Sequence, residues 1–150
     1  MKLKEYIEIQ DFIEDTNKLI TYFKIDTSKP KEVVERELMK KLYFDKNKSL
    51  SPHINIHNKK FRYYKDILEA PYVNWIKFNS QMSSYKEEEI SKHLDEILEC
   101  YIKDCNIETI REMDLSDAIS LATFFLSRGV IFLKNIKIQS LNQMQKMIME

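Results

Sequence analysis

One glycine in 150 residues, Gly129, constrains this chain more than any motif it carries. Phosphate-cradling loops, dinucleotide-binding turns and nucleophile elbows need glycine where backbone approaches a ligand or takes φ > 0. None of these can be built here, so P-loop NTPase, Rossmann and α/β-hydrolase designs are excluded. Disorder is excluded by composition, with 43% hydrophobic and 11% aromatic residues. Residues 1–150 are most simply one domain, long enough to bury a core without staples. The 24 basic and 24 acidic side chains balance to zero, which gives no global attraction to nucleic acid or anionic membrane. Cys100 and Cys105 are not in CxxC spacing, and neither a basic-then-apolar leader nor a membrane-length apolar run is present. A soluble, cytoplasmic protein without a structural disulfide is expected.

Hydrophobic spacing sets the architecture. Residues from Leu3 to Ile25 have helical periodicity that changes face near Asp15–Thr16, which predicts two short helices with Asp15 or Thr16 capping the second. Pro30 opens a helix to about Leu42 that buries Val34, Leu38 and Leu42. Between His53 and Tyr63 the period drops to two, which predicts a β-hairpin turning at Asn58–Lys59, with Ile54, Ile56, Phe61 and Tyr63 on one face. Pro71 begins a helix with Tyr72, Trp75, Ile76 and Asn79 on one side. Ser83 to Asp104 then reads as a five-turn spine, with Ser84 and Glu87 as a capping box and Ile90, Leu94, Ile97, Leu98 and Tyr101 as its stripe. Asp114 or Ser116 caps an apolar helix through Leu126, Gly129 stands at its end or within a continuation through Phe132, and Ser140–Glu150 forms a last helix. The fold class is mainly α, a helical bundle with a small antiparallel β-hairpin at about 53–64.

Chemistry-bearing residues are sparse. Glu89, His93 and Glu96 stand at i, i+4 and i+7, but a carboxylate-bridged di-iron site wants Glu-x-x-His on each of two helices, and no second helix supplies such a motif. His53 and His57 would share the polar face of a strand without a third ligand. The run Lys59 to Lys65, KKFRYYK, interleaves cations and aromatics as single-strand binders do. Residues 1–64 hold 14 basic and 10 acidic side chains, an excess well short of a nucleic-acid-binding domain. No metal, cofactor, nucleic-acid partner or enzymatic activity is expected.

Several stretches resemble the small tail-assembly chaperones and baseplate-hub-associated proteins of tailed bacteriophages. They are LKEYIEIQDFIED (Leu3–Asp15), INIHNKKFRYYKDILEAPYVNWIKF (Ile54–Phe78), HLDEILECYI (His93–Ile102) and DLSDAISLATFFLSRG (Asp114–Gly129). The resemblance implies a non-enzymatic protein-binding module, a tail or virion assembly factor or a small virion component. Its partner would be a tail, hub or tape-measure protein, or a second copy. The candidate binding residues are Phe124, Phe125, Phe132 and Leu133, in a segment more apolar than one domain contact requires. The alternative is the ligand-binding and dimerisation part of a TetR-type repressor, which the second half of the chain also resembles. A glycine turn and a basic recognition helix are missing from residues 1–50 for that reading.

Overall fold

The computed structural model describes residues 1–126. Over them the chain is mainly helical with one two-stranded antiparallel sheet, as the periodicity predicts. Helix α1 (Leu3–Glu8) runs into a 3-10 turn (Ile9–Phe12), and α2 spans Thr16–Tyr22. The change of face is a true break. Asp15 caps α2 by accepting the Lys18 N–H at 3.2 Å. At its far end the Ile25 N–H reaches the Ile20 carbonyl at 3.1 Å and the Lys24 N–H reaches that of Thr21 at 3.2 Å, a Schellman closure. Lys24 sits there at φ 55°, where glycine is usual. A side chain in that left-handed well costs about 1–2 kcal/mol. Helix α3 (Lys31–Leu42) starts directly after Pro30 and buries Val34, Leu38 and Leu42.

The hairpin pairs β1 (Ile54–Ile56) with β2 (Lys59–Phe61), Ile54 opposite Phe61 and Ile56 opposite Lys59. Its turn lies one residue earlier than expected, at His57–Asn58 rather than Asn58–Lys59. Both turn residues take positive φ, 50° and 63°, the signature of the type I′ turn whose twist suits a two-residue hairpin. Ile54, Ile56 and Phe61 are buried. A lone hairpin is marginal in water. This one is stitched onward, because the Tyr64 N–H donates to the Tyr101 carbonyl and the Lys103 N–H to that of Arg62, both at 2.8 Å.

Helix α4 (Tyr72–Ser84) follows Pro71, and here the sequence reading needs correction. The stretch from Ser83 to Asp104 is not one continuous helix. Ser84 is the last residue of α4, Tyr85 is extended, Glu87–His93 winds as a 3-10 helix, and only α5 (Leu94–Glu99) is α-helical. The Ser84–Glu87 pair therefore spans two elements instead of capping one. Its apolar stripe is nonetheless buried throughout, at Ile90, Leu94, Ile97, Leu98 and Tyr101. Either winding brings residues three apart onto one side, so periodicity alone does not distinguish them.

Two elements close the core around α5. Helix α6 (Ile107–Arg111) is capped by Asn106, which accepts the Thr109 N–H at 2.8 Å. Helix α7, described over Leu115–Leu126, buries residues on most of its circumference. Asp114 accepts the Ser116 N–H at 3.1 Å at its start. The expected stop at Gly129 and the last helix at Ser140–Glu150 lie outside the described residues. Helices α1, α6 and α7 all touch α5.

The first residues are clamped in strand-like fashion. Leu3 N–H donates to the Met113 carbonyl and Leu115 N–H to that of Met1, both at 2.9 Å. Beside this clamp Glu112 accepts from Lys2 at 2.7 Å and Lys4 at 2.6 Å. These bonds hold the Glu112 carboxyl at about 2, below its ordinary 4.5. A carboxyl depressed on folding stabilises above its unfolded value and loses that contribution as pH falls through the folded one. The melting temperature of wild-type protein should therefore fall between about pH 4.5 and pH 2 more steeply than that of Glu112→Gln. Parallel acid profiles would show that the cluster contributes nothing to stability.

Candidate protein-binding surface

Helix α4 is attached by one side only. Phe78 is buried and meets the Tyr101 ring edge-on at 5.3 Å. Asn74 donates to the Cys100 carbonyl at 3.0 Å, Gln81 donates to that of Glu96 at 3.2 Å, and Lys77 pairs with Glu99. These four contacts fix which face of the helix looks inward. The sequence grouped Tyr72, Trp75, Ile76 and Asn79 on one side, and that side turns away from the core.

An apolar patch results. With the preceding 3-10 turn (Ile67–Glu69), the outer face presents Leu68 at 76% exposure, Tyr72 at 73%, Val73 at 68% and Ile76 at 47%. Trp75, half-buried, stacks on Tyr72 with ring centroids 5.8 Å apart and planes 13° from parallel. Single exposed apolar side chains are normal on a protein surface, whereas these four stand together on one turn and the helix that follows it. Lys77 is the one charged residue among the thirteen of α4, whereas α3, of similar length, carries seven charges in twelve.

The four residues singled out from the sequence are placed differently from one another. Phe125 is buried at 4% exposure and stacks on Tyr101 at 3.8 Å and 10°. Phe124 is half-buried and meets Phe125 edge-on at 5.3 Å. Phe132 and Leu133 lie outside the described residues. The sequence missed Leu68 and Val73. Their signal was the Leu-x-x-x-Tyr-Val-x-x-Ile spacing across Pro71, which reads equally well as core.

The polar candidates resolve into structural contacts. Because Glu89–His93 lies in a 3-10 helix, residues four apart diverge by a third of a turn, and Glu89 does not share a face with His93. His93 stacks on Tyr85 at 4.1 Å, and its Nδ1 lies 3.5 Å from Glu96, to which the Tyr85 hydroxyl also donates. A neighbouring cavity of about 350 Å³ has His93, Lys92 and Arg111 in its wall. Arg111 is bound to Asp95 at 2.8 Å and Lys92 to Asp11 at 2.7 Å, so their charge is already used within the fold. His57 occupies the hairpin turn, not a strand face shared with His53, with Nε2 3.7 Å from Glu112. Among the described residues, no three His, Cys, Asp or Glu side chains are grouped to hold a metal ion.

In the cation–aromatic run, Phe61 is buried beneath Lys59, and Lys103 lies 4.7 Å over the Tyr64 ring, so neither ring offers two free faces to a base. Both described cysteines are free thiols, and burial pushes Cys100 up to about 11 and raises Cys105. Among the described residues no helix is long and apolar enough to cross a membrane. Protein-family models, curated proteins and solved structures yield no match to this chain.

Proposed function

We propose that this chain is a non-enzymatic protein-binding module whose working surface is the outer face of α4 with the 3-10 turn before it. The observation that carries the reading is the cluster of Leu68 on the 3-10 turn with Tyr72, Val73 and Ile76 on a helix with one charge, each close to half exposed or more. Burying a side chain of this size is worth roughly 1.5–3 kcal/mol, so the patch supplies affinity as soon as a complementary protein covers it. Its work, in the setting that the sequence resemblance implies, is assembly of a phage tail or virion, as an assembly factor or a small structural component.

Co-purification with the products of neighbouring genes tests this. The wild-type chain should retain a tail, hub or tape-measure protein, whereas Ile76→Glu should lose it at an unchanged melting temperature. Retention by Ile76→Glu would move the working surface elsewhere. Neighbouring genes without any tail component would overturn the phage setting.

A further inference from the structure

We propose that the outer face of α4 pairs with the same face of a second copy of this chain, the two helices antiparallel about a two-fold axis. This rests on the reading of that face as a protein-docking surface and names its occupant.

The argument begins from how side chains are graded along the helix. At 100° per residue, Phe78 and Gln81 mark the inward side, and Tyr72, Val73, Ile76, Ser80 and Ser83 lie on the side away from it. All five are exposed, as are Asn79 and Ser84. The N-terminal half of this face is bulky and apolar. The C-terminal half is small and polar.

An isologous contact sets a surface against itself, so it must be self-complementary under rotation. Antiparallel pairing about the level of Phe78 sets Ile76 level with Ser80 of the second copy and Val73 level with Ser83. Ile76 and Val73 each come against a serine, and the small residues let the axes approach to the close end of the usual 8–10 Å. Parallel pairing would instead set Tyr72 on Tyr72 and Ile76 on Ile76, with the serines facing each other across a gap.

Charge favours the same occupant. A helix face that meets its own copy cannot carry one sign of charge without self-repulsion. Lys77, the one charge of α4, is taken up by Glu99 at the flank, so the outer side of α4 itself carries none, and Glu69 stands exposed in the 3-10 turn before it. By contrast, α3 carries Lys31, Glu32, Glu35, Arg36, Glu37, Lys40 and Lys41, as a solvated helix does.

The chain supplies its own reporter, because Trp75, the single tryptophan, stacks on Tyr72 at the edge of this face. Sedimentation velocity on the full chain should show a dimer forming with concentration, accompanied by a blue shift of Trp75 emission. Ile76→Glu should weaken that association by at least about 30-fold with an unchanged thermal melt. In a Cys105→Ser background, mixed Ile76→Cys and Ser80→Cys chains should cross-link on oxidation far faster than either variant alone.

A monomer at every concentration, a dimer indifferent to Ile76→Glu, or self-cross-linking of each cysteine variant would each overturn the antiparallel pairing. Should the chain be monomeric and Ile76→Glu still lose a neighbouring-gene partner, the docking surface stands with another protein on it. A monomer in which Trp75 is shielded from acrylamide would mean that the chain covers this face itself, which also overturns the dimer.

Discussion

Replacing Phe125 with alanine is expected to destabilise the protein by about 3–5 kcal/mol, the usual cost of truncating a core aromatic. Phe125 is 4% exposed and joins three parts of the chain. Its ring stacks on Tyr101 at 3.8 Å, meets Tyr63 edge-on at 5.8 Å and lies against Phe124. Tyr63 belongs to the hairpin extension and Tyr101 to the turn after α5, so the truncation opens a cavity where hairpin, α5 and α7 converge. Denaturant titration would show a lowered midpoint with little change in slope. Phe125→Leu should recover part of the loss by refilling volume. A stable Phe125→Ala chain that instead associates less would place this residue in an interface after all.

The second large effect is expected at the Asp95–Arg111 pair. Asp95 is 5% exposed, bound by the Arg111 Nε at 2.8 Å and by the Glu96 N–H at 2.9 Å. Arg111→Met keeps the aliphatic stem but leaves a buried carboxylate short of its cation, and should cost about 2–3 kcal/mol. That is below the usual cost of breaking a fully buried pair because the Arg111 side chain is 45% exposed to water. Adding Asp95→Asn should return much of the loss, since the uncompensated charge goes with it. Urea unfolding of the two single variants and the double variant measures this. Additive losses would mean that the two groups do not act as a pair.

Local chemistry made much of the fold legible in the sequence. The Asp15 cap, the helix starts after Pro30 and Pro71, and the period-two run at Ile54–Phe61 are each determined by residues within a few positions of themselves. The errors occur where the outcome depends on distant parts of the chain. Ser84 and Glu87 have capping-box spacing, yet the chain turns at Tyr85, whose ring stacks on His93 and whose hydroxyl donates to Glu96. No local pattern specifies that corner. The hairpin turn moved by one residue because two-residue loops select positive φ at both positions, a requirement His57 and Asn58 meet without glycine.

The candidate surface was legible only as an apolar side of α4. A helix stripe reveals that something covers it, not whether the cover is the same chain. Tyr72 and Ile76 on α4 and Leu121 and Phe125 on α7 give the same signal in sequence. They part company because Phe78, Asn74 and Gln81 on α4 hold the opposite side inward, whereas α7 is buried on most sides.

The clamp between residues 1–3 and 113–115 has a consequence for the order of folding on the ribosome. Lys2 and Asp114 form its bridge, so the backbone bonds of residues 1–3 wait until residues 113–115 have been made. Closing a loop of that length costs roughly 4 kcal/mol of chain entropy beyond the constant term, which only the assembled core can offset. Until then α1 and the 3-10 turn after it, with Leu3, Tyr6 and Ile9 destined for burial, lack the cover that α1 finds on α5 and α7. The nascent chain therefore keeps the apolar side of α1 without these covers until α5 and α7 have been made. Native structure around α1 then locks in late, because the contacts that close it are long-range.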